Sequence, residues 1–337
     1  MDALLEKELR AKTHEKQEAF PALGQQFIQE LYQSKSVATV FEYTKDIAIF
    51  FDYLADRLHT RSLVDANFSR CDVSLYLDFI NALSHLERVY RTTTGKLVSQ
   101  TFENSTLSKN RKVATLRSWA QFLYKEGVVI EDVSNDIEMI YLESEPPKTL
   151  TNAEVQDFLS AIQKDERAMK DREKAFSDRT AHRDLALTAL LLYTGCKIQE
   201  ALSLKINHIS WEKRQFYVER KPKRARWIPI PLECMQLMEP YWTERVQSAS
   251  EEDYLFRSLH DDKLNPRTYR NACKKYQART AIQTNITPEV MRETFEKQAS
   301  LLLTDNVFVF WLMGKQTTKP IMNKMEKMSE IYSLAYK

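Results

Sequence analysis

The chain contains little glycine, no paired cysteines and no long apolar run. Only five of its 337 residues are glycine, against about 7% in average proteins. Sheet-rich and Rossmann-type folds use more glycine in their turns, so this scarcity favours a helical fold. The four cysteines show no C-x-x-C pair, which predicts neither a disulfide framework nor a zinc site. They are Cys71, Cys196, Cys234 and Cys273.

The lack of a run of about 18 apolar residues excludes a membrane-spanning helix. The N-terminal stretch is charged and lacks the apolar core of a signal peptide. The remaining composition is ordinary for a globular protein, with 43% hydrophobic and 28% charged residues. We therefore predict a cytoplasmic protein with hydrophobic cores, and the sequence indicates no metal site and no other cofactor.

The charges are distributed unevenly along the chain. Residues 1–147 carry a net charge of −5 and residues 148–337 carry +7, although the whole chain is only +2. A polyanion is held most strongly where positive charge is concentrated. We therefore expect the second half to hold a nucleic acid more strongly than the first.

A proline-containing stretch divides the chain. Pro146 and Pro147 cannot lie inside a helix, and the residue before each proline is biased towards extended backbone. We interpret residues 143–149 as a linker. The predicted domains are therefore residues 1–142 and 150–337.

The first domain is predicted to be helical. Apolar residues recur at steps of three and four, as the buried face of a helix requires. The predicted helices span residues 25–33, 36–57, 73 to about 88, and 107–125. Ser36 is predicted to be an N-cap and Gly127 to end the last helix. The polar stretch from Thr92 to Glu103 is predicted to be a loop.

The second domain combines helices with one predicted β-hairpin. Thr151 and Glu154 have the spacing of a capping box, and residues 184–194 are predicted to be a buried helix that ends at Gly195. Two β-rich runs, residues 215–218 and 227–230, flank a very basic tip. The charged stretch 163–183 is predicted to be a solvated helix and loop. Further helices are predicted at residues 197–204, 233–246, 266–280, 288–302, 305–313 and 320–335.

The motifs of the second domain, in their order and spacing, resemble those of the tyrosine recombinases, also called phage integrases. Residues 194–204 read T-G-C-K-I-Q-E-A-L-S-L, where the family has T-G-x-R-x-x-E-L. The basic hairpin follows at the expected distance. Residues 287–295 read T-P-E-V-M-R-E-T-F against the family's T-P-H-x-x-R-H-T-F. Residues 311–315 read W-L-M-G-K against L-L-G-H.

The resemblance covers nearly the whole chain and implies a mainly α, two-domain architecture. Residues 39–50, with the pattern T-x-x-x-Y-x-x-D-I-x-x-F, and residues 105–127 are similar to the family's helical, SAM-like core-binding domain. The second domain resembles the family's mostly helical catalytic-type domain, which has a small antiparallel β-sheet or hairpin. The implied partner is double-stranded DNA.

The resemblance also implies a reaction in which a tyrosine hydroxyl attacks a DNA phosphate and becomes covalently linked to it. In the family, two arginines hold most of the negative charge that develops. A hairpin lysine protonates the leaving 5′ oxygen, and two histidine-type residues assist proton transfer and positioning. No metal takes part in the family reaction.

The residues at the matching positions differ from this set. Lys197 replaces the first arginine, and a lysine lacks the bidentate fork of a guanidinium. Glu289 replaces the first histidine, and its negative charge should repel a phosphate. Arg292 is retained, whereas Lys315 replaces the later histidine. The cations that remain would still form a cradle for a phosphate.

The nucleophile position of the family, about nine residues after the later histidine, holds Lys324. Tyr332 and Tyr336 lie seventeen and twenty-one residues after Lys315, and either could serve only with a rearranged C-terminal segment. The hairpin lysine is matched by Lys221. Because several catalytic groups are replaced, we expect a protein that is not an enzyme.

We therefore expect a sequence-specific double-stranded DNA-binding protein, built on a recombinase fold that has lost catalysis. Its expected role is transcription regulation, as a repressor of a prophage or other mobile element. The alternative is an active site-specific recombinase or integrase with a divergent active site, whose nucleophile is Tyr332 or Tyr336. A third hypothesis is an accessory subunit that pairs with an active recombinase.

The predicted DNA contacts are basic residues in both domains. In the second domain they are Lys197, Lys221, Lys223, Arg224, Arg226, Arg267, Arg270, Lys274, Arg292 and Lys315. In the first domain they are Lys109, Arg111, Lys112 and Arg117. Glu200, at an acidic position of the family, is predicted to be a buried partner for nearby cations. An apolar stripe in the C-terminal segment is predicted to dock either on its own domain or on a neighbouring protomer, and it consists of Met322, Met325, Met328, Ile331 and Leu334.

Overall fold

The structure is a computed structural model that describes residues 3–91, 97–102, 104–141, 146–163, 171–219, 225–260, 262–302 and 306–315. The chain divides into two compact units, residues 1–144 and 145–337.

Within its described residues, the first unit contains five helices and one β-hairpin. The helices are α1 (Ala3–Gln17), α2 (Ala22–Ser34), α3 (Val37–Arg57), α4 (Val73–Ala82) and α5 (Thr106–Lys125). The strands are β1 (Leu86–Arg91) and β2 (Leu97–Phe102), which pair antiparallel with Leu86 opposite Phe102. Two short 3-10 turns, Asp65–Arg70 and Leu83–His85, connect these elements.

Side-chain caps mark the starts of α3, α4 and α5 in this unit. The Thr39 backbone N–H donates to the Ser36 side-chain oxygen at 3.3 Å, as the predicted N-cap requires. Asp72 accepts in the same way from the Leu75 N–H at 2.9 Å, so α4 is capped as well. The helix α5 ends before Gly127, which has a φ of 67°. The predicted cap at Ser36 and the predicted stop at Gly127 are both confirmed.

The core of the first unit is built around Trp119 of α5, which is fully buried. Its ring lies 5.2 Å from that of Phe27, 5.3 Å from Phe51 and 4.9 Å from Phe68, measured between centroids. All three pairs have the edge-to-face geometry that aromatic rings favour. The aromatic cluster therefore joins α2, α3 and α5.

Two sequence predictions for this unit are wrong. The third predicted helix, from Val73 to about Arg88, ends at Ala82, and β1 begins at Leu86. The stretch from Thr92 to Glu103, predicted to be a loop, contains β2. The cause is that pairing between the two strands satisfies backbone hydrogen bonds that local polarity cannot reveal.

The described part of the second unit is mostly helical and contains one small sheet. Its helices are α6 (Asn152–Gln163), α7 (Asp171–Thr194), α8 (Ile198–Leu202), α9 (Leu232–Ser248), α10 (Pro266–Gln277), α11 (Pro288–Leu302) and α12 (Asn306–Leu312). Its strands are β3 (Ile209–Ser210), β4 (Gln215–Val218) and β5 (Arg226–Pro229). They form an antiparallel sheet in the order β3-β4-β5, with Phe216 opposite Ile228. The predicted hairpin is therefore confirmed.

The second half of α7 forms the centre of this unit. Residues 183–194 are all buried, and α7 packs against α6, α9 and α11. The predicted capping box before α6 is confirmed, because the Thr151 N–H donates to Glu154 at 2.8 Å and the Glu154 N–H donates back to Thr151 at 3.2 Å. The mainly α fold with a small antiparallel sheet agrees with the prediction.

Across the ranges described above, no helix combines the length and the apolar composition that a membrane span needs.

Candidate functional site

Two loops of the second unit meet at the side chain of Arg292, on α11. Its Nη1 donates to the carbonyl oxygen of Gly195, and its Nη2 donates to the carbonyl oxygen of Met313 at 2.7 Å. Gly195 follows α7 and Met313 follows α12. The guanidinium therefore joins the loop that leads to Lys197 with the loop that leads to Lys315.

Arg292 is only 3% exposed. Burial lowers the pKa of its guanidinium, and the nearby carboxylate of Glu200 opposes that shift. Its two bonds to carbonyl oxygens use two of the five N–H groups of an arginine side chain. The sequence predicts that Arg292 helps to hold a phosphate, and the structure adds that this side chain joins the loops leading to Lys197 and Lys315.

Lys197 occupies the N-cap position of α8 and is half-buried. Its backbone N–H donates to the Glu200 side chain at 2.9 Å. This bond fixes the turn between α7 and α8, so the Lys197 side chain starts from a defined backbone position. The bond between Lys197 and Glu200 could have been predicted from the sequence, because a glutamate three residues after an N-cap has the spacing of a capping box.

Glu200 is buried and pairs with Arg226 of β5, as predicted for a partner of nearby cations. Arg226 Nη1 and Nη2 donate to the two carboxylate oxygens at 3.3 and 3.1 Å, and Nε donates to the Leu312 carbonyl oxygen at 2.7 Å. The side chains of this pair are 2% and 3% exposed. Arg226 was predicted to contact DNA from the hairpin tip, and this is corrected here because its guanidinium lies in the interior.

Lys315 lies exposed immediately after Gly314, and its Nζ donates to the Glu296 carboxylate of α11. The ammonium also lies 5.8 Å from the centroid of the Phe310 ring. Glu296 is a partner that sequence reasoning missed. No sequence signal could have found it, because Glu296 lies on α11 whereas Lys315 follows α12, 19 positions away.

The exposed face of α11 near this site is acidic. Glu289 is exposed in the first turn of α11, where the positive end of the helix dipole favours a carboxylate. Burial and the neighbouring Glu296 raise the pKa of Glu293 above its ordinary value. The site is therefore a set of cations bordered by carboxylates rather than a uniformly positive surface.

Cys196 lies between these groups but is chemically inert. It is fully buried, and burial raises the pKa of its thiol to about 12. The reactive form of a cysteine is the thiolate, so this side chain stays neutral at physiological pH. Among the described residues, no cluster of three or more His, Cys, Asp or Glu could hold a metal ion.

Several predicted site residues lie outside the described residues. They are Lys221, Lys223, Arg224, Lys324, Tyr332 and Tyr336, together with the predicted helix at residues 320–335 and its apolar stripe. Their proposed roles therefore remain predictions from the sequence.

The predicted basic face of α10 is exposed. Arg267, Arg270 and Lys274 recur at steps of three and four, and all three side chains are exposed. The opposite face of the helix buries Tyr269, Cys273 and Tyr276. The burial of these residues orients α10 so that its cations face solvent.

In the first unit, the four predicted cations of α5 all have partners within the unit. Lys109 Nζ donates to Ser84 at 2.7 Å, and Arg117 Nη2 donates to Asn135 at 3.2 Å. Lys112 is 5% exposed and donates to Asn104 at 2.9 Å and to Ser108 at 3.0 Å. The prediction that Lys112 contacts DNA is therefore corrected, because its ammonium is used to hold the start of α5.

Arg111 is tied to acidic residues of α3. Its Nη1 lies 2.8 Å from the Asp46 carboxylate and 2.9 Å from that of Glu42. Asp46 is 2% exposed and also accepts from the Thr115 hydroxyl at 3.2 Å. Burial raises the pKa of Asp46, and the Arg111 charge opposes this shift.

We expect Arg111→Met to lower the free energy of unfolding by about 1–3 kcal/mol at neutral pH, because Asp46 loses its partner. A carboxyl whose folded pKa is raised contributes stability at low pH, and that contribution is lost as the pH rises through the folded pKa. The difference from wild type should therefore shrink as the pH falls from neutral into the acid range, because Asp46 takes up a proton. Urea unfolding across that pH range measures the change.

Arg117→Met is the matched control, since Arg117 pairs with an asparagine and should cost under about 0.5 kcal/mol, as exposed substitutions do. An Arg111→Met protein that unfolds like wild type at neutral pH, yet binds DNA weakly, would contradict this stabilising role and support the prediction that Arg111 contacts DNA.

Comparison with known proteins adds three observations. Residues 148–301 match the phage integrase family. A tyrosine recombinase of Agathobacter rectalis is 26% identical over 200 residues, which span 59% of this chain and just under two thirds, 64%, of that protein. The tyrosine recombinase XerC of Oceanobacillus iheyensis is 26% identical over 263 residues, or 74% of this chain and 80% of that protein.

The fold also resembles solved structures. The integrase of the Tn1549 transposon, in complex with circular intermediate DNA, aligns with a TM-score of 0.62 at 15% identity. The alignment covers 91% of this chain and 98% of that one. This likeness concerns the fold.

The relatives overturn one sequence prediction. The replaced catalytic residues led us to expect a protein that is not an enzyme. That expectation is wrong, because the relatives spanning most of the chain are named tyrosine recombinases, which are enzymes. Substitution at individual positions is therefore not sufficient to infer loss of activity.

Proposed function

Because the chain belongs to the tyrosine recombinase, or phage integrase, family, we propose that it binds double-stranded DNA and cleaves and rejoins its strands at specific sites. The first unit is proposed to be the core-binding domain and the second the catalytic domain. The observation that carries the proposal is the bridge made by Arg292. It brings together the three motifs on which the family reaction depends.

In the proposed complex, a DNA phosphate is held by Lys197, Arg292 and Lys315. Lysine keeps the positive charge that the family supplies at the first position, although it offers a point charge and not a fork. Lys315 is proposed to exchange its Glu296 partner for the phosphate. Preorganised cations of this kind stabilise the charge that develops as the phosphate is attacked.

The proposed step forms a phosphotyrosyl bond and breaks the bond from phosphorus to the 5′ oxygen. The nucleophile is Tyr332, whose hydroxyl proton passes to the exposed carboxylate of Glu289. Lys221 gives a proton to the leaving oxygen. A carboxylate can act as a general base in this way when it lies within hydrogen-bond reach.

The exposed cations of α10 are proposed to contact the DNA backbone. Arg267, Arg270 and Lys274 lie on one face of the helix, and each phosphate contact makes binding weaker at higher salt. These contacts increase the affinity for DNA whether or not a strand is cleaved at the Arg292 site.

The experiment that tests this function has two steps. DNA fragments that the purified protein captures from its own genome are identified first, and nicked suicide substrates are then built from the captured sites. We expect a covalent protein–DNA adduct that resists denaturation in detergent. Tight binding to captured sites with no adduct would instead favour a regulator of transcription and would refute the proposed cleavage.

A further inference from the structure

Arg226 lies in the interior of the second unit, where its bonds include three to Glu200 and Leu312. Two of its nitrogens contact the two oxygens of Glu200, and the third, Nε, donates to the Leu312 carbonyl oxygen at 2.7 Å. The first contact reaches the loop of Lys197, because Glu200 also accepts from the Lys197 N–H at 2.9 Å. The second contact reaches the end of α12, directly before the loop of Lys315.

The turn that carries Lys315 lies directly on this guanidinium. A Cβ atom added to Gly314 would lie 2.9 Å from Arg226 Nη1 and 3.0 Å from Cζ. The neighbouring residue, Met313, presents its carbonyl oxygen to Arg292 at 2.7 Å. Consecutive carbonyl groups, those of Leu312 and Met313, are therefore held by two different arginines.

Stability alone does not explain the buried pair of Arg226 and Glu200. A buried ion pair is weak evidence for stability, because removing two charges from water costs several kcal/mol and apolar residues often pack there equally well. What an arginine adds is geometry, since its planar group sets the directions of its N–H bonds. Glu200 and Leu312 fix those directions for Arg226.

We propose that Arg226 is a positioning residue for the strand-cleavage reaction, which holds the Lys197 loop and the Lys315 turn at the spacing that a DNA phosphate requires. This inference rests on the proposed function. Arg226 acts through the backbone of these two loops, and it touches neither the DNA nor the reacting atoms.

The main test is a double variant, Arg226→Met with Glu200→Gln. It removes both buried charges together and keeps a side-chain oxygen that can accept from the Lys197 N–H. We expect its rate of adduct formation at saturating DNA to fall by about a hundredfold, as displacements near 1 Å can do. The dissociation constant for DNA should stay within about threefold, because the exposed cations of α10 are unchanged.

A second variant, Arg226→Lys, keeps the proposal testable if the double variant does not fold. It keeps a positive charge beside Glu200 but cannot make all three bonds. We expect it to remain folded and to form adduct about tenfold more slowly, which corresponds to about 1.4 kcal/mol of activation free energy. The rate at saturating DNA, measured apart from the half-saturating DNA concentration, separates positioning from binding.

A matched control exists in the same unit. Arg183 Nε and Nη2 donate to Asp184 at 2.9 and 2.7 Å, and the two side chains are 7% and 2% exposed. We expect Arg183→Met with Asp184→Asn to lower the melting temperature as a buried pair does, while folded protein keeps the wild-type cleavage rate.

The outcomes distinguish failure of the proposed function from failure of the positioning role of Arg226. Wild-type protein that forms no adduct overturns the proposed function and, with it, the positioning role. Wild-type protein that forms adduct overturns only the positioning role if both Arg226 variants cleave at its rate, or if the Arg183 control slows as much as they do.

Discussion

Replacing Tyr332 by phenylalanine is expected to abolish the covalent protein–DNA adduct while DNA binding stays at the wild-type level. Phenylalanine keeps the ring but lacks the hydroxyl that attacks phosphorus. Loss of a covalent nucleophile can lower the rate by about 10⁶, which puts the adduct below detection. The measurement is denaturing gel analysis of the suicide-substrate reaction, with a mobility-shift assay on the same sample.

The choice of Tyr332 rests on the sequence after Lys315. The spacing found in typical members of the family leads to Lys324, which cannot form a phosphotyrosyl bond. Tyr332 and Tyr336 are the tyrosines that follow. Tyr336→Phe is the matched control and should form adduct like wild type. An adduct that persists in Tyr332→Phe and disappears in Tyr336→Phe would assign the nucleophile to the second tyrosine.

Helices and their ends could be predicted because their signals are local. The cap at Ser36 and the capping box at Thr151 each depend on residues within three positions. The buried helix that ends at Gly195 could be predicted for the same reason, because residues 184–194 form an apolar run followed by glycine. The family motifs are also local patterns, so they and their order could be recognised in the sequence.

The pairing of β1 with β2 could not be predicted in this way. Strand pairing depends on residues that lie well apart in sequence, such as Leu86 and Phe102. The residues between them are polar enough to indicate a loop. The prediction therefore reflected the polar composition of this stretch, whereas its structure is set by pairing between β1 and β2.

The burial of Arg226 could not be predicted either, although its charge was obvious. Four positive residues between positions 221 and 226 suggested one exposed tip. Successive residues of a strand point to opposite faces, and here Arg226 is buried while Trp227 is 41% exposed. The partners that keep Arg226 inside, Glu200 and Leu312, lie 26 and 86 positions away.

The lysines and arginines of α5 differ from those of α10 in the same respect, namely whether other residues of the fold hold their side chains. Lys112 and Lys109 hold the start of α5, through Asn104 and Ser84. The exposed cations of α10 lie opposite a buried face and remain available to a partner. A basic cluster in a sequence therefore predicts charge, and only its three-dimensional partners decide whether the charge binds DNA.

Gly195 is the second position at which a large effect is expected. Its φ is 59°, a backbone conformation that favours glycine. A Cβ atom there would lie 2.2 Å from Phe295 Cδ1 and 2.7 Å from Cε1. Phe295 is 1% exposed on α11, one turn beyond Arg292, so it has no free space into which to move.

We expect Gly195→Ala to lower the free energy of unfolding of the second unit by about 2–5 kcal/mol. The left-handed backbone contributes about 1–2 kcal/mol, and overpacking against Phe295 contributes about 1–3 kcal/mol. The clash also moves α11 away from the carbonyl oxygen that Arg292 holds, so adduct formation should fall even at a temperature where the variant is folded.

Gly127→Ala is the control that separates strain from clash. Gly127 has nearly the same conformation, with a φ of 67°, but a Cβ atom there would meet nothing within 4 Å beyond its own chain neighbours. Only the backbone cost of about 1–2 kcal/mol should appear there. Urea unfolding of both variants gives the difference. Equal losses at the two glycines would contradict the close packing of Gly195 on Phe295, whereas a larger loss at Gly195, relieved by Phe295→Leu, follows from it.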